Sequence, residues 1–331
     1  MENFTLIDYH QTRDFSRKMN VTFEFVRQNF KPLGKSILFI AGPPVLLASL
    51  LMGSFFNDMF SASFSMGRGS NPEVIRDMFL TPNFWLQLLL MCVFLMVSTV
   101  ATIATINNYI LLYEERKTNR IEVGDVWGRV RDTFWMYFGT ALLFTIVSIA
   151  VYIAMVIPVV LLANVSLVLI VFGGMALFCL LVYLLFSSSL VFIIRAYERI
   201  GFFAALARSF KLVQGKWWST FGLIIVLYII VVVVSYVFMI PWYVITLVSS
   251  LHNAGVEGVG EPTSGFQTIS LIFLTLYYLA QMVMYTLPNV GIAFQYFNLV
   301  ERKEAKGLMS QIGSIGQAPA PTPSSAPDEH Y

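Results

Sequence analysis

Charge is scarce in this chain. Of its 331 residues, 12% are Asp, Glu, Lys or Arg and 57% are apolar, with a mean hydropathy of +0.72. Soluble domains carry roughly a quarter charged residues, so one or two soluble globules are excluded. No Asp, Glu, Lys, Arg or His occurs from Phe134 to Ile194, from Trp217 to Leu251, or from Phe266 to Val300. Ion-coupled transport and intramembrane proteolysis need ionisable groups at depth, and these stretches offer none. Cys92 and Cys179 each sit inside an apolar run, which suggests neither a disulfide framework nor a thiolate metal site. Only three histidines are present, His10, His252 and His330, and no HExxH, GxSxG, Walker A or GxGxxG pattern occurs. Zinc pair, nucleophile elbow and phosphate cradle are therefore all missing. The acids Asp58, Glu73, Asp77, Glu257 and Glu261 read as solvated loop residues. No cofactor or metal is expected, and no cleaved signal peptide, because a polar stretch precedes the first apolar run.

What is abundant is long apolar runs. A membrane span needs about 20 apolar residues, and six stretches qualify: 36–56, 84–113, 134–162, 165–194, 220–250 and 266–299. The expected fold is an all-α polytopic membrane protein with six transmembrane helices. A polar arm (1–12) precedes the membrane domain (13–306), and a Pro/Ala/Ser-rich tail (307–331) follows it. That tail cannot bury enough surface to offset its ordering entropy and is expected to be disordered. Gln87, Asn107, Asn108, Ser187 to Ser189, Gln281, Asn289 and Gln295 are polar residues within spans. They read as interhelical hydrogen-bonding groups, worth about 1 kcal/mol or less each. Gly173-Gly174 reads as a tight helix contact.

The cations are placed unevenly. Nineteen of the twenty-one Lys and Arg residues fall in the two terminal arms and in the second-to-third and fourth-to-fifth connections. By the positive-inside rule this predicts an inner-membrane protein with both termini cytoplasmic. Before the first span, Phe15, Met19, Phe23, Val26 and Phe30 recur at helical spacing, with Arg17, Asn20, Glu24 and Arg27 opposite. That pattern predicts an amphipathic helix lying in the membrane interface.

The pattern repeats. Glu115-Arg116 precedes Gly139 by 23 residues, arginine to glycine, and Glu198-Arg199 precedes Gly222 by the same interval. In that register Trp135 matches Trp218 and Pro158 matches Pro241, while Glu301-Arg302 closes the sixth span. Three units of interfacial helix plus transmembrane hairpin are predicted, about 13–116, 117–199 and 200–306. Trp135, Trp217 and Trp218 would sit at headgroup depth with wet N–H groups. Arg27, Lys31, Arg129, Arg208 and Lys211 would face anionic lipid, at about 1 kcal/mol each. Gly139 and Gly222 would allow close backbone approach between units. Pro158 and Pro241 would fall where a helix is ending, whereas Pro43-Pro44 and Pro288 should kink spans.

The segments RSFKLVQGKWWSTFG (Arg208 to Gly222) and YFNLVERKEA (Tyr296 to Ala305) resemble a family of bacterial six-helix proteins. It is named after the membrane domain attached to some glycerophosphoryl diester phosphodiesterases. That family is marked by an "arginine, aromatic, Gly-x-aromatic-Trp" entry and a "Tyr-x-Asp-Leu-x-x-Arg-x-Glu" exit, and Asn298 stands here where its acid falls. The resemblance covers residues 15–306 in architecture and two short motifs in sequence. It implies a standalone membrane domain, because the phosphodiesterase barrel has no counterpart in this chain. Hydrolase activity is accordingly not carried over.

The leading expectation is a non-enzymatic inner-membrane scaffold or accessory subunit. Its partners would be anionic inner-leaflet lipids and a membrane protein; nucleic acid is disfavoured, since topology already explains the cations. The alternative is a permease-type component for an apolar or lipid-like substrate, which requires a cavity between helices. A lipid-headgroup enzyme is the remote third reading, and it requires Glu114, Glu115, Glu198 and Glu301 to cluster around one pocket.

Overall fold

A computed structural model describes residues 6–67, 73–162, 166–253, 264–305 and Met309. Among these residues every regular element is a helix. The chain runs α1 (Phe15–Ile40), α2 (Gly42–Gly67), α3 (Glu73–Leu80), α4 (Pro82–Arg116), α5 (Val123–Leu162) and α6 (Leu167–Ser187). It continues with α7 (Val191–Glu198), α8 (Phe202–Val213), α9 (Trp217–Asn253), α10 (Ser264–Met284) and α11 (Thr286–Glu304). The tail from residue 307 lies outside the described residues apart from Met309. Five helical stretches are long and apolar enough to cross a membrane, and a sixth is reached if the bent pair α1–α2 counts as one span. This is a multi-pass, all-helical membrane protein.

Local sequence explains where helices begin and end. Asp14 caps α1 by accepting the Arg17 N–H at 2.9 Å, and Ser166 caps α6 by accepting the Val168 N–H at 3.2 Å. Each such bond satisfies a donor that the first turn leaves free. Pro82 opens α4, where a missing N–H costs nothing. Helices α4, α7 and α11 all stop on a left-handed residue that is not glycine, at Lys117, Arg199 and Ala305. In each case the cap N–H returns to a carbonyl four residues back, on Tyr113, Arg195 and Glu301 respectively. A left-handed non-glycine residue costs about 1 kcal/mol, so three such stops reflect tertiary constraint at this end of the bundle.

Three spans are broken, two of them beside the prolines expected to kink them. Residues 36–56 do not form one straight helix: α1 ends at Ile40, and the chain bends by 59° into α2. Pro43 and Pro44 occupy the first turn of α2, where proline is tolerated but cannot continue the preceding helix. Residues Ser188 to Leu190 interrupt the fourth span, and Tyr285 interrupts the sixth just before Pro288. Ser188 and Ser189 do not bridge helices; their hydroxyls donate to Leu184 and Phe186 of their own chain segment, both at 2.8 Å. The surface helix α8 and the span α9 are also not continuous, since Gln214 to Lys216 form a turn with Gly215 at φ +82°. In α5 the same two segments form one unbroken helix.

The prolines and glycines need correction too. Neither Pro158 nor Pro241 ends a helix at once; α5 runs on to Leu162 and α9 to Asn253. Gly139 and Gly174 are not close-approach points, because a Cβ there would meet nothing within 4 Å, and at Gly222 it would make only ordinary contact with Phe15 at 3.6 Å. Among the described glycines the close approaches are at Gly53, where a Cβ would collide with Leu271, and Gly291, where it would collide with Leu227.

Helix α10 packs along α9 and α2, α4 along α5 and α2, and α1 along α11. The densest core lies at one end, where α1, α4, α5, α7, α8 and α11 meet around Phe25, Tyr109, Tyr113 and Phe297. The α5–α6 hairpin diverges from this core, leaving Ile149, Ile153, Val171 and Phe178 exposed as lipid-facing surface.

Candidate functional site

Helix α1 determines how the charged end is built. Its buried stripe contains Lys18, Thr22, Phe25, Asn29, Leu33 and Ser36, whereas Phe15, Phe23 and Phe30 stay exposed. The face that packs is thus partly polar, and the aromatic ridge points outward. Tyr109 donates its hydroxyl to Asn29 Oδ1 at 2.9 Å. Lys18 Nζ donates to Ser219 Oγ at 2.7 Å and Gln295 Oε1 at 2.8 Å, and Gln295 Nε2 donates on to Thr220 at 2.8 Å. Interhelical amide bonding, expected of Gln295, is realised there and between Asn108 and Thr133 at 2.8 Å.

The polar N-terminal arm is part of this core. Tyr9, 1% exposed, sits among Phe25, Tyr113, Phe294 and Phe297 with ring centroids 5.0–6.4 Å away. Its hydroxyl donates to the Ile110 carbonyl at 3.2 Å, and the Ile7 N–H donates to the Tyr113 hydroxyl at 3.2 Å. Asn298, the departure from the family's acid, accepts the Arg13 N–H at 2.7 Å, and Arg302 donates to the Arg13 carbonyl at 3.0 Å. The Arg13 guanidinium lies 5.7 Å from the centre of the Phe294 ring, and burial lowers its pKa. His10 Nε2 lies 3.1 Å from Glu114 and 3.4 Å from the Tyr197 hydroxyl. The hydrogen bond to Glu114 raises the His10 pKa from its ordinary 6.5, against an opposing contribution from burial.

The Glu-Arg marks of the sequence do structural work. Glu115 holds Arg129 of α5 at 2.5 Å, and Arg116 holds Asp125 at 2.6 Å. Glu198 holds Arg208 of α8 at 2.5 Å and accepts the Tyr296 hydroxyl at 2.7 Å, while Arg208 also reaches Glu304 at 2.8 Å. These two carboxylates raise the Arg208 pKa further above its already high value. Glu301 is buried beside the arm. Glu115 and Glu198 each clamp the surface helix that follows, and Glu114 faces His10. Arg27, Lys31 and Lys211 project from the surface. Trp135 and Trp218 are 75% and 77% exposed. Trp217 departs from the expectation of a wet N–H, because its indole donates to the Tyr183 carbonyl at 3.3 Å and its ring stacks on Phe221.

Two cavities lie deeper, among the uncharged spans. One, about 370 Å³, lies between α2, α4, α9 and α10 and is lined by Ser49, Ser98, Thr102, Tyr278 and Gln281 among apolar side chains. The other, about 470 Å³, opens between α4, α5, α6 and α9 beside Asn107, Phe144, Ser188, Ser189 and Ile224. They share a wall made by Ile103, Tyr228 and Asn289. Both volumes fall within the range of small-molecule sites. Neither lining contains a charged side chain. The sequence pointed to Asn107, Ser188, Ser189, Gln281 and Asn289 as polar groups in spans, but not to the gathering of Asn107, Ser188, Ser189 and Asn289 at one cavity, which joins different helices.

No family model, curated protein or solved structure matches the chain.

Proposed function

We propose that the protein is a non-enzymatic inner-membrane component that holds a lipid-like or apolar molecule between its helix pairs. Pairing of two uncharged cavities across one shared wall carries this reading. A charged ligand would leave its charge unsatisfied there, at a cost of several kcal/mol. An amphiphile with a neutral polar group would find hydroxyls and amides for its head and Ile, Phe and Leu for its chain. The breaks before Pro43 and at Tyr285 supply bends at which flanking helices could move. Gradual widening of a lateral opening between α5–α6 and α9 would let the ligand enter from the bilayer.

The test is full-length protein purified in mild detergent, with co-purified lipids identified by mass spectrometry. Ser49→Phe and Ser189→Phe each fill one cavity. The expected result is a bound amphiphile in the native protein that is depleted in both variants. Unchanged lipid content in both would sink the reading.

The scaffold role belongs to the same proposal for the charged end. Exposed Arg27, Lys31 and Lys211, with the exposed indoles of Trp135 and Trp218, support contact with an anionic inner leaflet. That orientation puts both termini in the cytoplasm, a membrane-protein partner being reached from the same side. The three left-handed caps, and the matching Glu115–Arg129 and Glu198–Arg208 clamps, support three related units. The resemblance to the phosphodiesterase-associated membrane domain family, without its hydrolase, rests on the Arg208 to Gly222 and Tyr296 to Ala305 segments. In a chain with Cys92 and Cys179 replaced by serine, Lys211→Cys should resist a membrane-impermeant thiol reagent added to intact cells; efficient labelling would reverse the topology.

A further inference from the structure

The paired cavities differ in what they offer a ligand, and the difference lies in where each hydroxyl hydrogen goes. In the cavity between α2, α4, α9 and α10, Ser49 donates to the Leu46 carbonyl at 2.9 Å and Ser98 to the Phe94 carbonyl at 2.6 Å. Thr99 donates to Leu95 and Thr102 to Ser98, both at 2.8 Å. A hydroxyl has one hydrogen, and each of these is spent on a carbonyl of its own helix, as Ser and Thr within helices often do. Asn289 on the shared wall donates its side-chain amide to the Tyr285 carbonyl at 2.7 Å.

Three phenols line the same cavity: Tyr228 from α9, Tyr278 from α10, and Tyr285 at the break before α11. Tyr285 accepts from Gln281 Nε2 at 3.4 Å, and among the described residues none of the three donates its hydroxyl hydrogen to the protein. The rings of Tyr228 and Tyr285 stand 5.9 Å apart, inclined at 65°. Tyr228 is 37% exposed although it walls both cavities, and the Tyr278 hydroxyl is not sealed over by neighbouring atoms. Both have room to meet a ligand. In surroundings of low dielectric an O–H left without an acceptor is unfavourable. The second cavity holds only Tyr228 of these phenols, and its Ser188 and Ser189 have also spent their hydrogens.

What the first cavity lacks is an acceptor. A carbonyl oxygen supplies two lone pairs, carries no charge and brings no hydrogen that needs a partner. A carboxylate or phosphate would lie where no cation lines the wall. An alcohol would add a further donor to three that are unpaired.

We propose that the cavity between α2, α4, α9 and α10 selects a neutral lipid by a carbonyl oxygen, of an ester, ketone or quinone, held by the hydroxyls of Tyr278 and Tyr285 with Tyr228 at the shared wall. This rests on the reading of the cavities as an amphiphile site and names the polar group that is taken.

Thermal unfolding of the full-length protein in detergent tests it, with 2-tridecanone, 2-tridecanol or tridecane added. These share one chain and differ at a single carbon. The ketone is expected to raise the unfolding temperature most and the alkane least. In Tyr278→Phe and Tyr285→Phe the ketone concentration giving half of its effect should rise about fivefold, the worth of one hydrogen bond. Both variants keep the ring, so their response to tridecane should stay native, and exposed Tyr152→Phe should change nothing. If one variant does not fold, the other decides. Equal effects of ketone and alkane, or a native ketone response in the tyrosine variants, overturn the proposal. An alcohol effect equal to that of the ketone overturns it in favour of any oxygen-bearing lipid. Mass spectrometry of the lipid that Ser49→Phe depletes distinguishes ester, ketone and quinone, and a depleted lipid without a carbonyl overturns the proposal too. The two readings fail separately. If Ser49→Phe depletes lipid yet ketone and alkane act alike, only this inference fails; if no lipid co-purifies and no compound acts, both do.

Discussion

The hydroxyl of Tyr9 donates to the backbone carbonyl of Ile110 at 3.2 Å, joining residues 101 positions apart in the chain. That bond seats the arm in the aromatic core and completes the charged end. Tyr9→Ala should therefore destabilise the protein by about 3–5 kcal/mol, as for other large aromatic truncations. Tyr9→Phe should cost only about 1 kcal/mol, the net value of one hydrogen bond. Chemical unfolding in detergent micelles measures both; equal stability of Tyr9→Ala and the native protein would show that the arm is not part of the core.

The Arg208 clamp is shielded and the Arg116 clamp is open. Side-chain exposures are 22% and 14% for Arg208 and Glu198, against 44% and 32% for Arg116 and Asp125. Removing Arg208 leaves Glu198 with Tyr296 and should cost about 2–4 kcal/mol. Arg116→Ala should cost far less, because an exposed pair is screened by solvent. Double-mutant cycles with Glu198→Gln and Asp125→Asn separate coupling from loss of packing.

The His10–Glu114 pair makes stability depend on pH. Glu114 raises the His10 pKa above 6.5 in the folded protein. The unfolded chain keeps about 6.5, so the folded state binds the proton more tightly. The stabilisation is complete below pH 6.5 and is lost as pH rises through the folded value. Because the pair is about a quarter exposed on the histidine side, screening limits it to about 1 kcal/mol or less. Unfolding temperature from pH 5.5 to 9 should fall more steeply in the native protein than in Glu114→Gln. Parallel curves would mean that Asp8 or Glu301, its other acidic neighbours, govern the response.

The glycines can be ranked by space. Gly291→Ala must displace Leu227, which is fully buried, and should cost about 1–3 kcal/mol, as overpacking does. Gly139→Ala meets nothing within 4 Å inside a continuous helix, and should stabilise by up to about 1 kcal/mol. Leu227→Ala combined with Gly291→Ala should cost less than the two single losses added together. If Gly139→Ala proves the costlier of the two single changes, the packing described for α9 and α11 is wrong.

Much of the outline was legible without coordinates. Uncharged runs of spanning length fix a helical membrane protein, because in hydrocarbon every backbone polar group must be paired within its own segment. The breaks near Pro43 and Pro288 were legible for a similar local reason: proline lacks the N–H that a continuing helix needs. The sequence pattern singled out the ridge of Phe15, Phe23 and Phe30, which stays exposed, and not the stripe that packs. The buried stripe through Lys18, Thr22, Asn29 and Ser36 is present at helical spacing, but its polar residues give no local signal of packing.

Sequence alone determined the number of apolar runs, the crowding of cations into a few segments, and the absence of ionisable groups from most span interiors. These are properties of consecutive residues, and oil selects on them locally. Tertiary structure decided that Lys18 and Arg13 are buried, that Asn298 holds the arm, that Gly53 and Gly291 rather than Gly139 and Gly222 are the tight contacts, and that Ile103, Tyr228 and Asn289 divide two cavities. Each of those depends on which distant helix arrives opposite. Periodicity along one helix assigns its faces, but only the neighbour's side chains decide what each face meets.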